Sequence, residues 1–376
     1  KEQLDIIGEI PDERRIAESY SRGEMAVDKF PEIKKLFEVL ADKILTLAQG
    51  EKKIPKSVKK EAFSGEKIPE KAKKYGASGA KKPKELVVIS GKGGTGKTSL
   101  TACFVALAKD SVISDCDVDA ADLHLVLSPR IKERGFFSGG VEAEIDQDRC
   151  TQCGKCKDAC RFSAVEVYEE QGKNKYRIDK LACEGCGVCE LVCDYDAVRT
   201  KPAVNGEWFM SDTRHGPMSH AKLGVAEENS GRLVTLVRDK AALLAGESKR
   251  KRAIMDGAPG TGCPVISSLS GVDYALAVTE PTVSGAHDLE RILKVINHFG
   301  VRSGVVVNKF DLNEEMTQNI KELAGRYHSE FIGIIPYGKE ITEAQMQKLS
   351  VVEYTDTPLT ESIKEIWKKI DKIIQS

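Results

Sequence analysis

An apolar run, LVVIS at 86–90, leads directly into GKGGTGKT at 91–98, and the residues after it place Leu100, Cys103, Phe104 and Leu107 on one helical face. That order of strand, glycine loop and helix constrains the fold more than any other feature, because it satisfies G-x4-G-K-S/T in the context that motif requires. Gly91, Gly93, Gly94 and Gly96, with Thr95 among them, let backbone N–H groups crowd around phosphate oxygens at a helix N-terminus. Lys97 is placed to reach terminal phosphates and Thr98 to hold Mg2+, with Ser99 beside them. A glycine turn without a ligand is the bland alternative, and the flanking strand and helix argue against it.

From Glu85 onward short apolar strands alternate with amphipathic helices: SVIS (111–114), RAIMD (252–256), YALAVT (274–279), GVVVN (304–308) and FIGII (331–335). Such strands separated by helices predict an α/β fold, a doubly wound and mostly parallel sheet covered on both faces. The rhythm breaks at about 136–203. There the sequence carries CTQCGKCKDAC at 150–160 and CEGCGVCELVC at 183–193, each C-x2-C-x2-C-x3-C. The block predicts an inserted domain, so the expected organisation is 85–135 and 204–376 for the two parts of the sheet domain and 136–203 for the insert.

KGGTGKT, with its early Lys92, resembles the deviant phosphate loop of the MinD, ParA, Mrp and nitrogenase iron protein superfamily of P-loop ATPases. The resemblance covers 85–376 apart from the insert and implies ATP and Mg2+ as ligands, ATP hydrolysis, and a homodimer in which Lys92 reaches the partner's nucleotide. SDCDVDAADLHL (114–125) resembles the family's first switch; it implies Asp117 for water activation, with Asp115 and Asp119 near the metal. IMDGAPG (254–260) resembles the second switch, with Asp256 in the outer magnesium shell and Gly257 and Gly260 permitting motion. VNKFD (307–311) resembles the base-recognition segment. By that likeness Asn308 and Lys309 lie at the adenine, and so do Pro336 and Tyr337 after the last strand.

The cysteine block resembles bacterial two-cluster ferredoxins, an α+β domain. That pattern implies two 4Fe-4S clusters, one on Cys150, Cys153, Cys156 and Cys193, the other on Cys183, Cys186, Cys189 and Cys160. Zinc is the competing reading of C-x2-C pairs. The insert departs from the ferredoxin pattern where Arg161 and Asp194, not Pro, follow the fourth cysteines. Gly154, Gly185 and Gly187 would let amides approach the sulfurs. Of the remaining cysteines, Cys103 and Cys116 read as small buried hydrophobes. Cys263, seven residues after Asp256, is placed like a cluster ligand of the nitrogenase iron protein, but without a second cysteine per subunit packing is the expected role. His215 and His220, in 208–231, are expected to be ordinary loop histidines on the way back from the insert.

IIGEIPDERRIAES from Ile6 aligns with FIGIIPYGKEITEA from Phe331: Ile7, Gly8, Ile10, Pro11, Ile16 and Glu18 match Ile332, Gly333, Ile335, Pro336, Ile341 and Glu343. Both copies then run into an apolar-periodic helix, Ile33, Leu36, Phe37, Leu40 and Ile44 in one and Ile363, Ile366, Trp367 and Ile370 in the other. Residues 1–49 are therefore expected to be the C-terminal remnant of a preceding ATPase copy, which makes a tandem-copy pseudo-dimer the alternative to a homodimer. Residues 50–84 read as a basic linker; within 51–84 there are 12 Lys against 4 Glu and three Pro. With a formal net charge of -1 and no aromatic pattern in that linker, the nucleic-acid signal is weak. No apolar run is long enough for a membrane helix, the amphipathic final helix reads as a packing helix, and a cytoplasmic protein is expected.

Together these features predict an ATP-hydrolysing iron-sulfur protein that couples dimer closure to electron transfer, or to cluster transfer, onto an acceptor protein. The alternative is a MinD- or ParA-type positioning ATPase whose clusters are structural. A third reading, a ferredoxin carried on an inactive ATPase, makes Lys97 dispensable.

Overall fold

The protein is described from a computed structural model covering residues 10, 11, 13–49, 83–170, 172–180, 182–224 and 230–375. Three helices come first, α1 (Arg14–Ser21), α2 (Ala26–Lys29) and α3 (Pro31–Gln49). The sheet domain opens with β1 (Lys84–Ser90), α4 (Lys97–Ala108), β2 (Ser111–Asp115), α5 (Leu123–Leu127) and β3 (Arg130–Phe137). An inserted unit follows, built from β4 (Val141–Ile145), α6 (Lys155–Asp158), β5 (Val165–Glu170), β6 (Lys173–Ile178), α7 (Val188–Leu191) and β7 (Val198–Pro202). The chain returns through β8 (Gly206–Thr213), β9 (Gly216–Leu223), α8 (Ser230–Ser248), β10 (Arg252–Pro259), α9 (Cys263–Leu269), β11 (Tyr274–Thr279), α10 (Val283–His298) and β12 (Ser303–Asn308). After a 3-10 turn at Phe310–Leu312 it finishes with α11 (Glu314–Arg326), β13 (Glu330–Ile335), α12 (Glu340–Met346), α13 (Val351–Tyr354) and α14 (Pro358–Gln375).

The main sheet has the order β13-β12-β11-β1-β10-β2-β9-β8-β3. It is parallel from β13 to β9 and antiparallel across β9, β8 and β3. Strands β2, β11 and β12 are buried at every position, as continuous apolar runs in a two-sided sheet should be. Alternation along β1 sends Leu86 and Val88 to one face, against Phe104 of α4 and Ile363, Ile366 and Ile370 of α14. Val87 and Ile89 go to the other, against Leu233 and Val237 of α8 and Leu289 and Ile292 of α10. Trp367 anchors the first layer with its ring centroid 5.3 Å from that of Phe104. Truncating so large a buried side chain costs about 3–5 kcal/mol.

The sheet extends further than the sequence pattern suggested. The segment 208–231, expected to be a connecting loop, begins as the β8–β9 hairpin, and β9 pairs parallel to β2. Its period was masked because buried Ser211, Ser219 and His220 occupy inward positions usually held by apolar residues. Those polar groups are satisfied internally: Ser219 Oγ donates to Val237 O at 2.8 Å, and Ser211 Oγ lies 3.0 Å from His220 Nε2. β3 was hidden for the opposite reason. It is a charged edge strand, exposed along most of its length and tied by Lys132 to Asp212 at 2.8 Å, a composition that keeps an open edge from pairing with another chain. Consequently the insert is narrower than 136–203, since Phe136 and Phe137 belong to β3.

In the N-terminal segment the helix lengths, 8, 4 and 19 residues, parallel the 7, 4 and 18 of α12, α13 and α14. Packing does not follow suit: α14 buries Leu359, Ile363, Ile366, Trp367, Ile370 and Ile374, whereas Phe37, Val39, Ile44 and Leu45 of α3 are exposed. The aligned residues Ile7 and Gly8, and the basic linker at 50–82, lie outside the described residues.

Candidate nucleotide site and cysteine clefts

β1 delivers the loop 91–96 to the N-terminus of α4, with Gly96 as the cap residue. Gly96 has φ +89, and a Cβ there would meet Asn308 Nδ2 at 2.4 Å, so both the conformation and the close approach require glycine. Asn308 stands at the end of β12; its Nδ2 donates to Thr95 O at 2.9 Å and its Oδ1 accepts from Lys309 N at 3.0 Å. It therefore braces the loop itself. Thr95 is 1% exposed, yet its Oγ1 has no hydrogen-bond partner, an orphaned donor of the kind a bound phosphate would satisfy.

Lys97 is buried at the centre of the site, its Nζ 2.8 Å from Asp256 Oδ1 and 3.4 Å from Asp117 Oδ2. Thr98 Oγ1 donates to Asp256 Oδ2 at 2.6 Å, and Thr101 Oγ1 lies 3.0 Å from Asp256 Oδ1. Asp115, wholly buried, accepts from Asp117 N at 3.2 Å and Leu123 N at 3.3 Å. Burial works against the Lys97 ammonium, but the charges of Asp256 and Asp117 overcome it and hold its pKa above the ordinary value. Burial and the neighbouring Asp256 push Asp115 well above the usual carboxylate range, against the opposing pull of Lys97. Burial also raises Asp117. One buried lysine thus faces three carboxylates beside the Thr98 hydroxyl.

Not every residue expected at this site joins it. Asp119 is exposed and outside the cluster, because the chain has already turned out of β2 toward α5. Ser99 Oγ accepts from Gln345 Nε2 at 2.9 Å, and Tyr337 N donates to Asp311 Oδ1 at 2.7 Å, just after Pro336 closes β13. Lys92 leans toward α10: its Nζ is 2.7 Å from Glu280 Oε1, donates to Ser284 Oγ at 3.0 Å and lies 5.3 Å from the ring centroid of Tyr20. Lys309 Nζ approaches the same glutamate at 3.5 Å. Glu280 and Ser284 had not been singled out. The acidic residue directly after the YALAVT strand was the available signal.

In the inserted unit, β4 pairs with β7 and β5 with β6, giving two short antiparallel ribbons, with α6 and α7 carrying Cys156 and Cys189, the third cysteine of each run. Two clefts result. One is lined by Cys150, Cys153, Cys156 and Cys193, and the other by Cys160, Cys183, Cys186 and Cys189. Each run therefore sends its fourth cysteine to the other run's cleft. Among the described residues no group of three or more His, Cys, Asp or Glu side chains is gathered as a single metal ion would need. Gly185 permits the tight crossing beneath one cleft, where a Cβ would lie 2.5 Å from Val141 O. Burial opposes ionisation of Cys193, but backbone N–H groups of Tyr195, Ala197 and Val198 hold it below the ordinary thiol value, Ala197 N lying 3.3 Å from Sγ.

Elsewhere, Cys103 and Cys116 are buried, and burial pushes both thiols up to about 12. Cys263 is exposed at the first turn of α9, so the packing role expected for it does not hold. His215 sits in the hairpin turn with Nε2 2.9 Å from Glu353 Oε1, and Arg214 makes a two-pronged pair with the same carboxylate at 2.8 and 2.9 Å. These contacts tie the hairpin to α13. Among the described residues no helix is long and apolar enough to cross a membrane.

The strand–loop–helix with its buried lysine and acidic strand ends defines a P-loop nucleotide-binding α/β domain. Residues 86–351 match the model of the CobQ/CobB/MinD/ParA nucleotide binding domain, and the chain belongs to that family. Two similar proteins from Methanocaldococcus jannaschii are the uncharacterized protein MJ0578, 33% identical over 77% of this chain and 97% of its own length, and MJ0579, 28% identical over 75% and 95%. Similar solved structures include the septum site-determining protein MinD complexed with Mg-ADP from Pyrococcus horikoshii, 16% identical with a TM-score of 0.48 over 77% of this chain and 97% of that one. Another is the MinC:MinD cell division protein complex of Aquifex aeolicus, 16% identical with a TM-score of 0.47 over 77% and 96%.

Proposed function

We propose that this protein hydrolyses ATP and uses the resulting switch to control electron delivery from two iron-sulfur clusters in residues 141–202. One observation carries the coupling. Ladder partners run in an unbroken row from Asp256 on β10 to Asp115 on β2, His220 on β9, Phe209 on β8 and Arg134 on β3. β3 and β8 are the two strands that lead into and out of the insert. A displacement of the acidic strand ends on hydrolysis is thereby passed along strands that cannot slip past one another singly.

In the nucleotide half, Lys97 would neutralise the terminal phosphates, Thr98 with Asp256 and Asp115 would hold Mg2+, and Asp117 would orient the attacking water. Lys92 leaves Glu280 and reaches a partner subunit's nucleotide, which makes the active form a dimer. Asp119, exposed, is left out of the metal shell. In the cysteine half, the interleaved quartets suit ferredoxin-type 4Fe-4S binding, because a cube takes its thiolates at separate corners rather than at one point. Bound clusters supply one-electron transfer to an acceptor protein; the protein's part is to hold the thiolates and to set their distance from that acceptor. Exposed Cys263 leaves cluster transfer as a variant of the same scheme.

A second reading is a positioning switch of the MinD or ParA kind with structural clusters. It is favoured by the small core of the insert, where Ala143, Ile145, Val165 and Val198 pack with Cys156 and little else is buried. A unit with so little apolar core commonly depends on metal to fold. Anaerobically purified protein should contain about eight iron atoms per chain, as two cubes require, and should hydrolyse ATP in a manner abolished by Lys97→Ala. Iron-free folded protein would overturn the cluster assignment, and hydrolysis that survives Lys97→Ala would overturn the nucleotide assignment.

A further inference from the structure

The N-terminal helix α1 rests on the rim of the nucleotide site through a small set of specific contacts. Tyr20 lies against Lys92, 5.3 Å from Nζ to the ring centroid, and its hydroxyl is 3.3 Å from Ser284 Oγ, the same hydroxyl that accepts from Lys92 at 3.0 Å. Arg14 Nη1 pairs with Asp311 Oδ2 at 2.7 Å while Nη2 donates to Asp311 O at 2.8 Å. Asp311 in turn receives Tyr337 N, and it follows Asn308 and Lys309 by two or three positions. Ser21, fully buried, has its Oγ 3.4 Å from Leu312 O. None of these contacts belongs to the nucleotide chemistry, yet those to Lys92 and Asp311 touch segments assigned to it.

We infer that α1 is a latch on this face, docked when Lys92 is held by Glu280 and displaced when Lys92 turns to a nucleotide. A single ammonium cannot stay 2.7 Å from Glu280 and beneath Tyr20 while it also engages phosphate. Moving it strips α1 of the cation–π contact and frees Ser284 from the shared hydrogen bond. What remains is the Tyr20–Ser284 contact, the Arg14–Asp311 pair, and the Ser21 contacts with Leu312 O and Asn313 Nδ2 on the turn beside the adenine-side residues. An exposed contact of this kind is weak, so losing it shifts docking by about fivefold at most rather than wholly. Linkage then makes the effect reciprocal: a docked α1 weakens nucleotide binding by the same factor by which nucleotide undocks it.

The inference rests on the proposed role of Lys92, and the test separates the two. Amide hydrogen exchange over residues 14–21 of the full chain is measured with and without Mg2+ and a non-hydrolysable ATP analogue, alongside binding of a fluorescent form of that analogue. In the wild type, exchange in 14–21 should rise up to about fivefold when the analogue binds. In Tyr20→Ala it should already be fast without nucleotide, and the analogue should bind about fivefold tighter. If the analogue binds and exchange in 14–21 is unchanged or slowed, the latch is wrong while the nucleotide site stands. Should no analogue bind, the nucleotide reading fails. Lys92→Ala then decides the docking contact alone: faster exchange in 14–21 without nucleotide supports it, and unaltered exchange overturns it.

Discussion

Asp115 on β2 stands directly opposite His220 on β9 in the parallel ladder, and on its other side it faces Asp256 on β10. A buried carboxylate of the switch thus has, as its neighbour across the sheet, a buried imidazole on the hairpin that returns from the cysteine unit. His220 also stacks on Phe209 of β8, ring centroids 5.0 Å apart. The two halves of the chain meet along these paired strands.

The first consequence is a pH dependence. Burial, with His124 nearby, pushes His220 down to about 4, whereas an unfolded histidine titrates near 6.5. Its neutral form therefore stabilises the fold fully above about pH 6.5, and that contribution is lost as pH falls toward 4 because the unfolded chain takes up the proton first. The loss approaches about 3 kcal/mol. Thermal unfolding of His220→Phe, which keeps the stacking, should show a flatter pH profile between 6.5 and 4 than wild type; parallel profiles would contradict this.

Among the described residues Lys97 is the only cationic side chain paired with Asp256 and Asp117. Removing it leaves buried carboxylates uncompensated, a class of change that costs about 3–5 kcal/mol. Lys97→Ala should accordingly lower the unfolding temperature of nucleotide-free protein as well as abolish hydrolysis. Adding Asp256→Asn should restore part of that stability without restoring activity, a coupling that a double-mutant cycle measures. Additive losses would show that the pair does not interact as placed.

Interleaving of the cysteines has a spectroscopic signature. Cys193 lines the cleft of the first run and Cys160 that of the second. On the proposed ligation, Cys193→Ser should alter the cluster assigned to Cys150, Cys153 and Cys156, and Cys160→Ser the one assigned to Cys183, Cys186 and Cys189. Paramagnetic resonance of the two reduced variants should change different signals. The same signal lost in both would mean that the runs do not exchange their fourth ligands.

Much of this was readable in one dimension because the motifs are local. The phosphate loop needs contiguous residues, and the cysteine runs announce themselves by spacing alone. What could not be read is long-range or disguised by polarity. Arg14 meets Asp311 across 297 positions, with no periodicity to report it. The β8–β9 hairpin carries Ser211, Ser219 and His220 inward, so its strand period looked like loop composition. Asn308 also braces Thr95, a contact that depends on where β12 ends relative to the loop. Asp119 follows Asp117 by two residues, yet the backbone turns between them and leaves it in solvent. Cys263 looked like a packing residue until its place at the exposed start of α9 was known.

The most direct test of coupling is the steady-state ATP hydrolysis rate of anaerobic protein with its clusters oxidised and then reduced by dithionite, with Arg134→Ala as a variant in the strand that enters the insert. A rate that changes severalfold with cluster oxidation state in wild type, and changes less in Arg134→Ala, is the expected result. An identical rate in both oxidation states, in protein shown to hold its iron, would contradict the coupling of the nucleotide site to the cysteine unit.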